Sequence, residues 1–374
     1  MLSLWSAYPL WSDSSLLPSE FPAPQVTISE ERTLPPRHGS HDHTMNSSAV
    51  YLILLALTFL LTVLSLRFLI PKLKSLKMGQ KILDIGPRWH KSKEGTPTMG
   101  GISFVAVSLL LVLTVFAVLA LRGRLKDPLL LFVTFGMALL NGLVGCIDDY
   151  TKFIKKQNEG LKAYQKYFLQ LLCAGLYLFI LRAAGRITTA LYIPYFGVEL
   201  EMGIFYYVIA LLVITGIVNS VNLTDGIDGL ASSETAVVAA FFTLAGFVTA
   251  NTDVSYFAAL ALGGSLGFLV YNFHPARVFM GDTGSLFLGG MAAGLAFLAG
   301  NPLIILIVGF MYVLESISVI LQVFWVHVFG HRLFKMSPIH HHFERCGWSE
   351  IRIVAVFSLL TAVFCALGWF GLAR

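Results

Sequence analysis

From about residue 49 to the C-terminus, apolar runs of 16 to 24 residues alternate with short polar segments. A helix that crosses the hydrocarbon core of a bilayer needs about 20 mostly apolar residues. Ten runs meet or approach that length, near 49–70, 100–121, 128–147, 166–184, 202–221, 230–250, 254–271, 284–299, 303–326 and 353–372. They are continuous, without the apolar/polar alternation of barrel strands, so they predict helices. The charge-free stretch from Thr283 to Leu314 is too long for one span, and Gly300-Asn301-Pro302 is the turn signal that divides it. The expected fold is all-α: a polytopic integral membrane protein with about ten transmembrane helices.

Composition agrees. Of 374 residues, 56% are hydrophobic and 13% charged, which excludes an ordinary water-soluble domain. Residues 1–44 differ in kind. They are rich in Ser, Pro, His and charge, lack a helical period, and read as a disordered extension ahead of a ten-helix transmembrane domain at 45–374, with Met45 as an alternative start. They have no basic region and apolar core of the signal-peptide kind. His38, His41, Asp42 and His43 could ligate a metal, but in such a tail no metal site is expected. Cys146, Cys173, Cys346 and Cys365 show no paired spacing, so neither disulfides nor zinc are expected.

Loop charge sets the orientation. Taken alternately, the loops of one side carry 17 Lys and Arg and those of the other 8, which predicts the richer side to be cytoplasmic. Three acidic segments fall on that same side. Asp148-Asp149 closes the run that ends at Ile147, and Lys152, Lys155 and Lys156 follow in the same loop. Adjacent carboxylates repel each other and are relieved by a divalent cation or a cationic partner. In Asn219–Gly229, two amides and two acids (Asn219, Asn222, Asp225, Asp228) recur every third residue; the pattern of a calcium-binding EF-hand loop is missing. In Gly281-Asp282-Thr283-Gly284-Ser285, small residues open an apolar helix, so Asp282 reads as an N-terminal cap or as an acid beside a phosphate held by free N–H groups. No nucleotide-binding glycine motif is present.

Two further segments add chemistry. Lys93 and Thr98 lie in a basic, turn-forming loop, and His340-His341-His342 sits in the last one. On a helix, consecutive histidines point about 100° apart and cannot all bind one ion; one could offer a phosphate contact, a proton or a ligand. Glu315 is an acid inside a span, a functional candidate by its position. Coupling-ion sites of transporters lie near the bilayer midplane in related halves. Here the acids gather at one edge, with Lys, Asn and His, and no internal repeat is seen. That fits phosphoryl transfer to a lipid phosphate, in which two anions are brought together by metal and basic groups. An ion-coupled transporter is the alternative from another class. No nucleic-acid partner is expected.

The set Gly95-Thr96-Pro97-Thr98-Met99-Gly100-Gly101, Asp148-Asp149-Tyr150, Asn222 to Gly229, Phe279 to Ser285 and Pro338 to Glu344 resembles the phospho-N-acetylmuramoyl-pentapeptide transferases. The five motifs occur in order over residues 45–374. The sister enzymes of the same superfamily, which transfer N-acetylhexosamine 1-phosphate from donors such as UDP-GlcNAc, are similar in the acidic motifs; Pro338 to Glu344, with Trp348, looks more like the muramoyl branch. The resemblance implies a Mg2+-dependent reaction, with Mn2+ as an alternative ion. Phospho-MurNAc-pentapeptide moves from UDP-MurNAc-pentapeptide to undecaprenyl phosphate, giving lipid I and UMP. It implies a bacterial inner-membrane enzyme with a cytoplasmic active site, and a homodimer. It also implies that Asp282 is the metal ligand and that Asp148 and Asp149 act near the metal or the lipid phosphate, with Asp148 a candidate base. His340 and His341 would lie by the diphosphate. Asn222, Asp225, Asp228, Asn272 and Phe279 would line the nucleoside side, Phe279 stacking on uracil, with Lys93, Thr98, Lys152 and Lys166 around the site.

Overall fold

Residues 26–28, 41–76, 93–123, 129–155 and 159–372 are described by the computed structural model of this chain. Of the expected N-terminal extension these include a three-residue strand and the first turn of a helix; its other residues, like Lys156 further on, lie outside the described residues.

The elements are β1 (Val26–Ile28), α1 (His41–Ser75), α2 (Ile102–Leu121), α3 (Leu129–Lys155), α4 (Ala163–Ala183), β2 (Ala190–Ile193), β3 (Val198–Glu201), α5 (Ile204–Thr224), α6 (Leu230–Val248), α7 (Thr252–Asn272), α8 (Gly281–Leu298), α9 (Ile305–Val308), α10 (Phe310–Phe329), α11 (Ile339–Arg345) and α12 (Glu350–Phe370). Among the described residues nine helices are long and apolar enough to cross a bilayer: α1 from Ser48, α2 to α7, α10 and α12. The chain is an all-α, polytopic membrane protein.

α8 stands where a tenth span is expected, and every residue from Thr283 to Leu298 is buried. Neighbouring helices rather than lipid surround it, so small residues serve where backbones approach closely. A Cβ on Gly290 would lie 2.7 Å from the Ala138 Cα on α3. Phe287 fills the space beside this contact, with ring centroids 5.9 Å from Phe135 on α3 and 6.1 Å from Phe104 on α2.

The expected span at 303–326 is not one helix. Pro302–Ile304 form a 3-10 turn, α9 adds a single turn, and α10 begins only after Gly309. Pro302 has no N–H to donate and suits the first position of the turn. Asn301 donates to the Gly371 carbonyl at 3.1 Å and so ties this break to the end of α12.

At the same end as this break, β2 and β3 form a hairpin between α4 and α5, and β1 adds to it antiparallel in the order β1-β3-β2. The helix ends alternate, so the last turns of α3, α5 and α7 and the first turns of α4, α6, α8 and α12 meet at the opposite end. The three acidic segments come together there, as the alternation of loops predicts.

Candidate active site

Asp148 and Asp149 are not in a loop. α3 continues to Lys155, so both acids and Lys152 stand on its last two turns. Successive helical positions differ by about 100°, and the two carboxylates accordingly face different partners. Asp149 turns to the first turn of α8, where it accepts the amide N–H of Asp282 at 3.1 Å, that of Thr283 at 2.9 Å and the Thr283 hydroxyl at 2.7 Å. These amides have no intrahelical acceptor, and a carboxylate satisfies them while favouring the positive end of the helix dipole. Capping is therefore the task of Asp149; Asp282, considered for it from sequence, projects its side chain elsewhere.

The approach of α3 to α8 depends on two glycines. A Cβ on Gly145 would lie 2.1 Å from the Asp282 carbonyl oxygen. Gly281 has φ +71°, and a Cβ there would meet Asp149 Oδ2 at 2.6 Å.

Asp148 accepts the Leu161 N–H at 2.7 Å through Oδ1, while its Oδ2 is 2.6 Å from Lys152 Nζ. Lys152 Nζ also lies 2.8 Å from Asp282 Oδ2, which Lys166 on α4 approaches at 2.9 Å. Asn222, in the last turn of α5, donates to Asp282 Oδ1 at 2.8 Å and to the Ser285 hydroxyl at 2.7 Å, and accepts from Lys166 at 3.2 Å. A cavity of about 500 Å³ opens beside these groups, lined by Asp148, Lys152, Lys162, Lys166 and Asp282 among others.

One ligand oxygen from each of Asp148, Asp149 and Asp282 lies within 4.8 Å of the others, a group that could hold a metal ion. Three carboxylates form a hard, all-oxygen donor set suited to Mg2+ or Mn2+. Lys152 Nζ lies within 4 Å of all three acids, at 2.6, 3.9 and 2.8 Å from Asp148, Asp149 and Asp282, so its ammonium supplies positive charge where the cluster calls for it.

Asp225 follows α5 and lies outside the ion-paired set. Burial, and then the charges of Asp282, Asp149 and Asp228, hold its carboxyl well above the usual carboxylate range.

Asp228 belongs to a second network. Lys93 Nζ lies 2.7 Å from Asp228 Oδ1 and 2.6 Å from Glu350 Oε2. Asp228 Oδ2 accepts the Ala276 N–H at 2.9 Å and lies 3.0 Å from His274 Nδ1, and Glu350 Oε2 accepts the Asp228 N–H at 3.0 Å. Asp228, His274 and Glu350 also have metal-binding spacing, but Lys93 already provides the cation. Glu350 was not singled out from sequence. Directly after Ser349, whose hydroxyl accepts the Arg352 N–H at 3.3 Å, it has the pattern of an ordinary first-turn helix acid. His274 lies between α7 and α8 and had no carboxylate beside it in sequence to mark it.

The other sequence candidates divide. Thr98 borders the triad: a Cβ on Gly281 would lie 3.1 Å from its hydroxyl. Phe279, half-buried, pairs its backbone with the loop of Thr98, its N–H donating to Pro97 at 2.9 Å and its carbonyl accepting from Gly100 at 2.8 Å. Asn272 uses both ends of its amide internally. Its Oδ1 accepts from Gly229 N–H and Ser232 at 3.1 and 3.3 Å, and its Nδ2 donates to Val278 at 3.0 Å. His340 is wholly buried, 3.1 Å from Glu315, and His341 pairs with Glu344 at 2.5 Å. Neither histidine lines the cavity beside the triad.

The part of the membrane bundle that carries the clustered acids and lysines, residues 131–301 from α3 through α8, matches the glycosyl transferase family 4 model, which puts the chain in the class of membrane-embedded glycosyl transferases. The loop of Lys93 and Thr98 matches the phospho-N-acetylmuramoyl-pentapeptide-transferase signature 1 over residues 93–105. The phospho-N-acetylmuramoyl-pentapeptide-transferase of Clostridium novyi is 43% identical over 329 residues, covering 88% of this chain and 98% of its own. Those of Caldanaerobacter subterraneus and Acetivibrio thermocellus are also 43% identical, over 319 and 307 residues, with 85% and 81% of this chain and 97% and 90% of theirs. The chain belongs to the phospho-N-acetylmuramoyl-pentapeptide transferase family.

Proposed function

We propose that this protein transfers phospho-MurNAc-pentapeptide from UDP-MurNAc-pentapeptide to undecaprenyl phosphate, giving lipid I and UMP for peptidoglycan synthesis. The observation that carries the reading is the meeting of Asp148, Asp149 and Asp282 with Lys152 and Lys166 at one end of a membrane bundle. An oxygen of the lipid phosphate attacks the sugar-linked phosphorus, and the bond to UMP breaks with its electron pair. A phosphate monoester is already largely ionised near neutral pH, so the attacking oxygen needs little deprotonation, and Asp148 is left to orient rather than to form a covalent intermediate. Lys152 and Lys166 offset the negative charge of the two phosphates as they approach.

Asp282, with Asp148 beside it, would hold Mg2+ or Mn2+, and such an ion supplies charge neutralisation to the phosphoryl group. Asn222, Asp225, Asp228, Asn272 and Phe279 take the nucleoside side of the donor in this reading, with Lys93 and Thr98 around the site. The face bearing the acids is cytoplasmic in a bacterial inner membrane, in accord with the Lys and Arg count of its loops. The protein acts as a homodimer.

The test is UMP release by purified protein with undecaprenyl phosphate and Mg2+, comparing UDP-MurNAc-pentapeptide with UDP-GlcNAc and using EDTA as control. EDTA-sensitive release from the muramoyl donor alone is expected. Release from UDP-GlcNAc instead would move the substrate to the N-acetylhexosamine branch, and no release from either by folded protein would refute phosphoryl transfer. Light scattering of the purified protein tests the dimer.

A further inference from the structure

Among the described residues, two acids and one histidine are sealed inside the bundle apart from both clusters. Glu234 on α6, Glu315 on α10 and His340 at the start of α11 expose no surface. Groups of this kind are costly in a membrane protein and persist where they serve a purpose. Glu315 Oε2 lies 3.1 Å from His340 Nδ1, and the His340 backbone N–H donates to the same oxygen at 3.4 Å. One carboxyl oxygen thereby lies against the ring and accepts the N–H that begins α11.

The other edge of the ring meets the acidic segment after α5. A Cβ on Gly226 would lie 2.2 Å from His340 Nε2 and 2.6 Å from Cε1, so the turn rests on the imidazole and has no room for a side chain. Neither ring nitrogen makes a hydrogen bond among the described residues, so Glu315 meets Nδ1 as a close polar contact. Gly226 lies between Asn222, which grips Asp282, and Asp228, which closes the network with Lys93 and Glu350. The joint is fixed on its other sides as well. Ser220 and Ser316 hydroxyls meet at 2.7 Å between α5 and α10, and Tyr312 donates to Thr235 on α6 at 2.9 Å.

We propose that Glu315 is a positioning residue: by clamping His340 it sets the height of the Gly226 turn, and with it Asn222 and Asp228 against the UDP-linked donor. The proposal rests on the transferase reading above. Glu315 touches neither substrate. Its influence passes through one ring to one turn, so it bears on donor capture rather than on the lipid phosphate beside Asp148 and Lys152.

Steady-state UMP release by the full-length protein in detergent, with melting temperatures of each variant, tests this. Glu315→Gln keeps the shape and replaces one carboxyl oxygen by an amide nitrogen; it should raise the donor KM about tenfold, equivalent to about 1.4 kcal/mol, with the lipid phosphate KM within about twofold of the parent. Gly226→Ala presses on the same contact from the opposite side and should reproduce this split. Because it deletes no buried partner, it keeps the test open if Glu315→Gln does not fold. An unchanged donor KM in folded Gly226→Ala overturns the proposal, as does a parallel rise of both KM values with a fall in melting temperature. A parent protein that releases no UMP refutes the transferase reading first, whereas an active parent with unmoved variants refutes this inference alone.

Discussion

Asp149 accepts both the amide and the hydroxyl of Thr283, at 2.9 and 2.7 Å, and so binds the end of α3 to the start of α8. Asp282, one residue earlier, keeps its side chain free of that duty and meets Lys152, Lys166 and Asn222 instead. Two carboxylates of one cluster therefore do different things, and substitution should separate them.

Asp149→Ala is expected to lower stability by about 1–2 kcal/mol, the usual loss when a helix cap is removed, and to lower turnover in parallel. Asp282→Asn should keep the parental melting temperature within a few degrees while turnover falls by about a hundredfold or more, the scale on which a positioned electrostatic group acts. Thermal unfolding and UMP release measured on the same preparations distinguish the two; a stable, inactive Asp149→Ala would contradict the capping role.

Lys93, Asp228 and Glu350 form one unit, with Lys93 held at 2.7 and 2.6 Å by the two acids. Lys93→Met and Asp228→Asn should each weaken donor binding, and the double variant should lose much less than the sum, with a coupling of about 0.5–3 kcal/mol. Glu350→Gln should weaken it as well, despite its place at the head of α12. Strict additivity in the cycle would mean that the pair does not act together.

Asp225 sets a pH dependence. Its folded carboxyl titrates above the unfolded one because of burial and the charges of Asp282, Asp149 and Asp228. The folded chain thus binds more protons at this position. The stability associated with it is complete below the unfolded value, about 3.9, and is lost as pH rises through the raised folded value. Asp225→Asn abolishes that loss. In metal-free protein it should raise the melting temperature by about 2 °C or more at pH 8, with no rise at pH 3.5. An equal rise at both pH values would show that the carboxyl's ionisation is not responsible.

Phe279 is half-buried, and its backbone is fixed by Pro97 and Gly100 at 2.9 and 2.8 Å. If its ring stacks on the uracil of the donor, Phe279→Ala should weaken UDP-donor binding by about 1–3 kcal/mol, the worth of a base on an aromatic platform. Lipid phosphate binding should be unaffected. Calorimetric titration with each ligand decides it, and an equal loss for both would assign Phe279 to the scaffold.

Much of the charged cluster at this end of the bundle was legible before any coordinates. Asp148-Asp149, Asp282 and Asn222 announced themselves as polar residues at the ends of apolar runs, where they are costly without a task. Lys152 and Lys166 stood out less, because basic residues in these loops also satisfy the positive-inside rule. Glu350 was hidden by resembling a routine first-turn acid. The partners of the histidines were not legible in sequence: His340, expected beside a diphosphate, is buried against Glu315, and His341 pairs with Glu344. Asn272, expected on the nucleoside side, hydrogen-bonds Gly229, Ser232 and Val278, partners that nothing in the sequence marked.

The linear order of apolar runs by itself determined the fold class, the approximate limits of most helices and the gathering of the acids at one end. Each of these follows from local burial requirements and from the alternation of successive spans. Tertiary structure alone decided which carboxylate does what. Asp148 and Asp149 are neighbours in the chain but point about 100° apart, and only the position of α8 turns one into a helix cap and the other toward Lys152. The same holds for Lys93 and Glu350, 257 residues apart yet 2.6 Å from charge to charge. Nothing local in a sequence specifies a partner that packing brings from the far end of the chain.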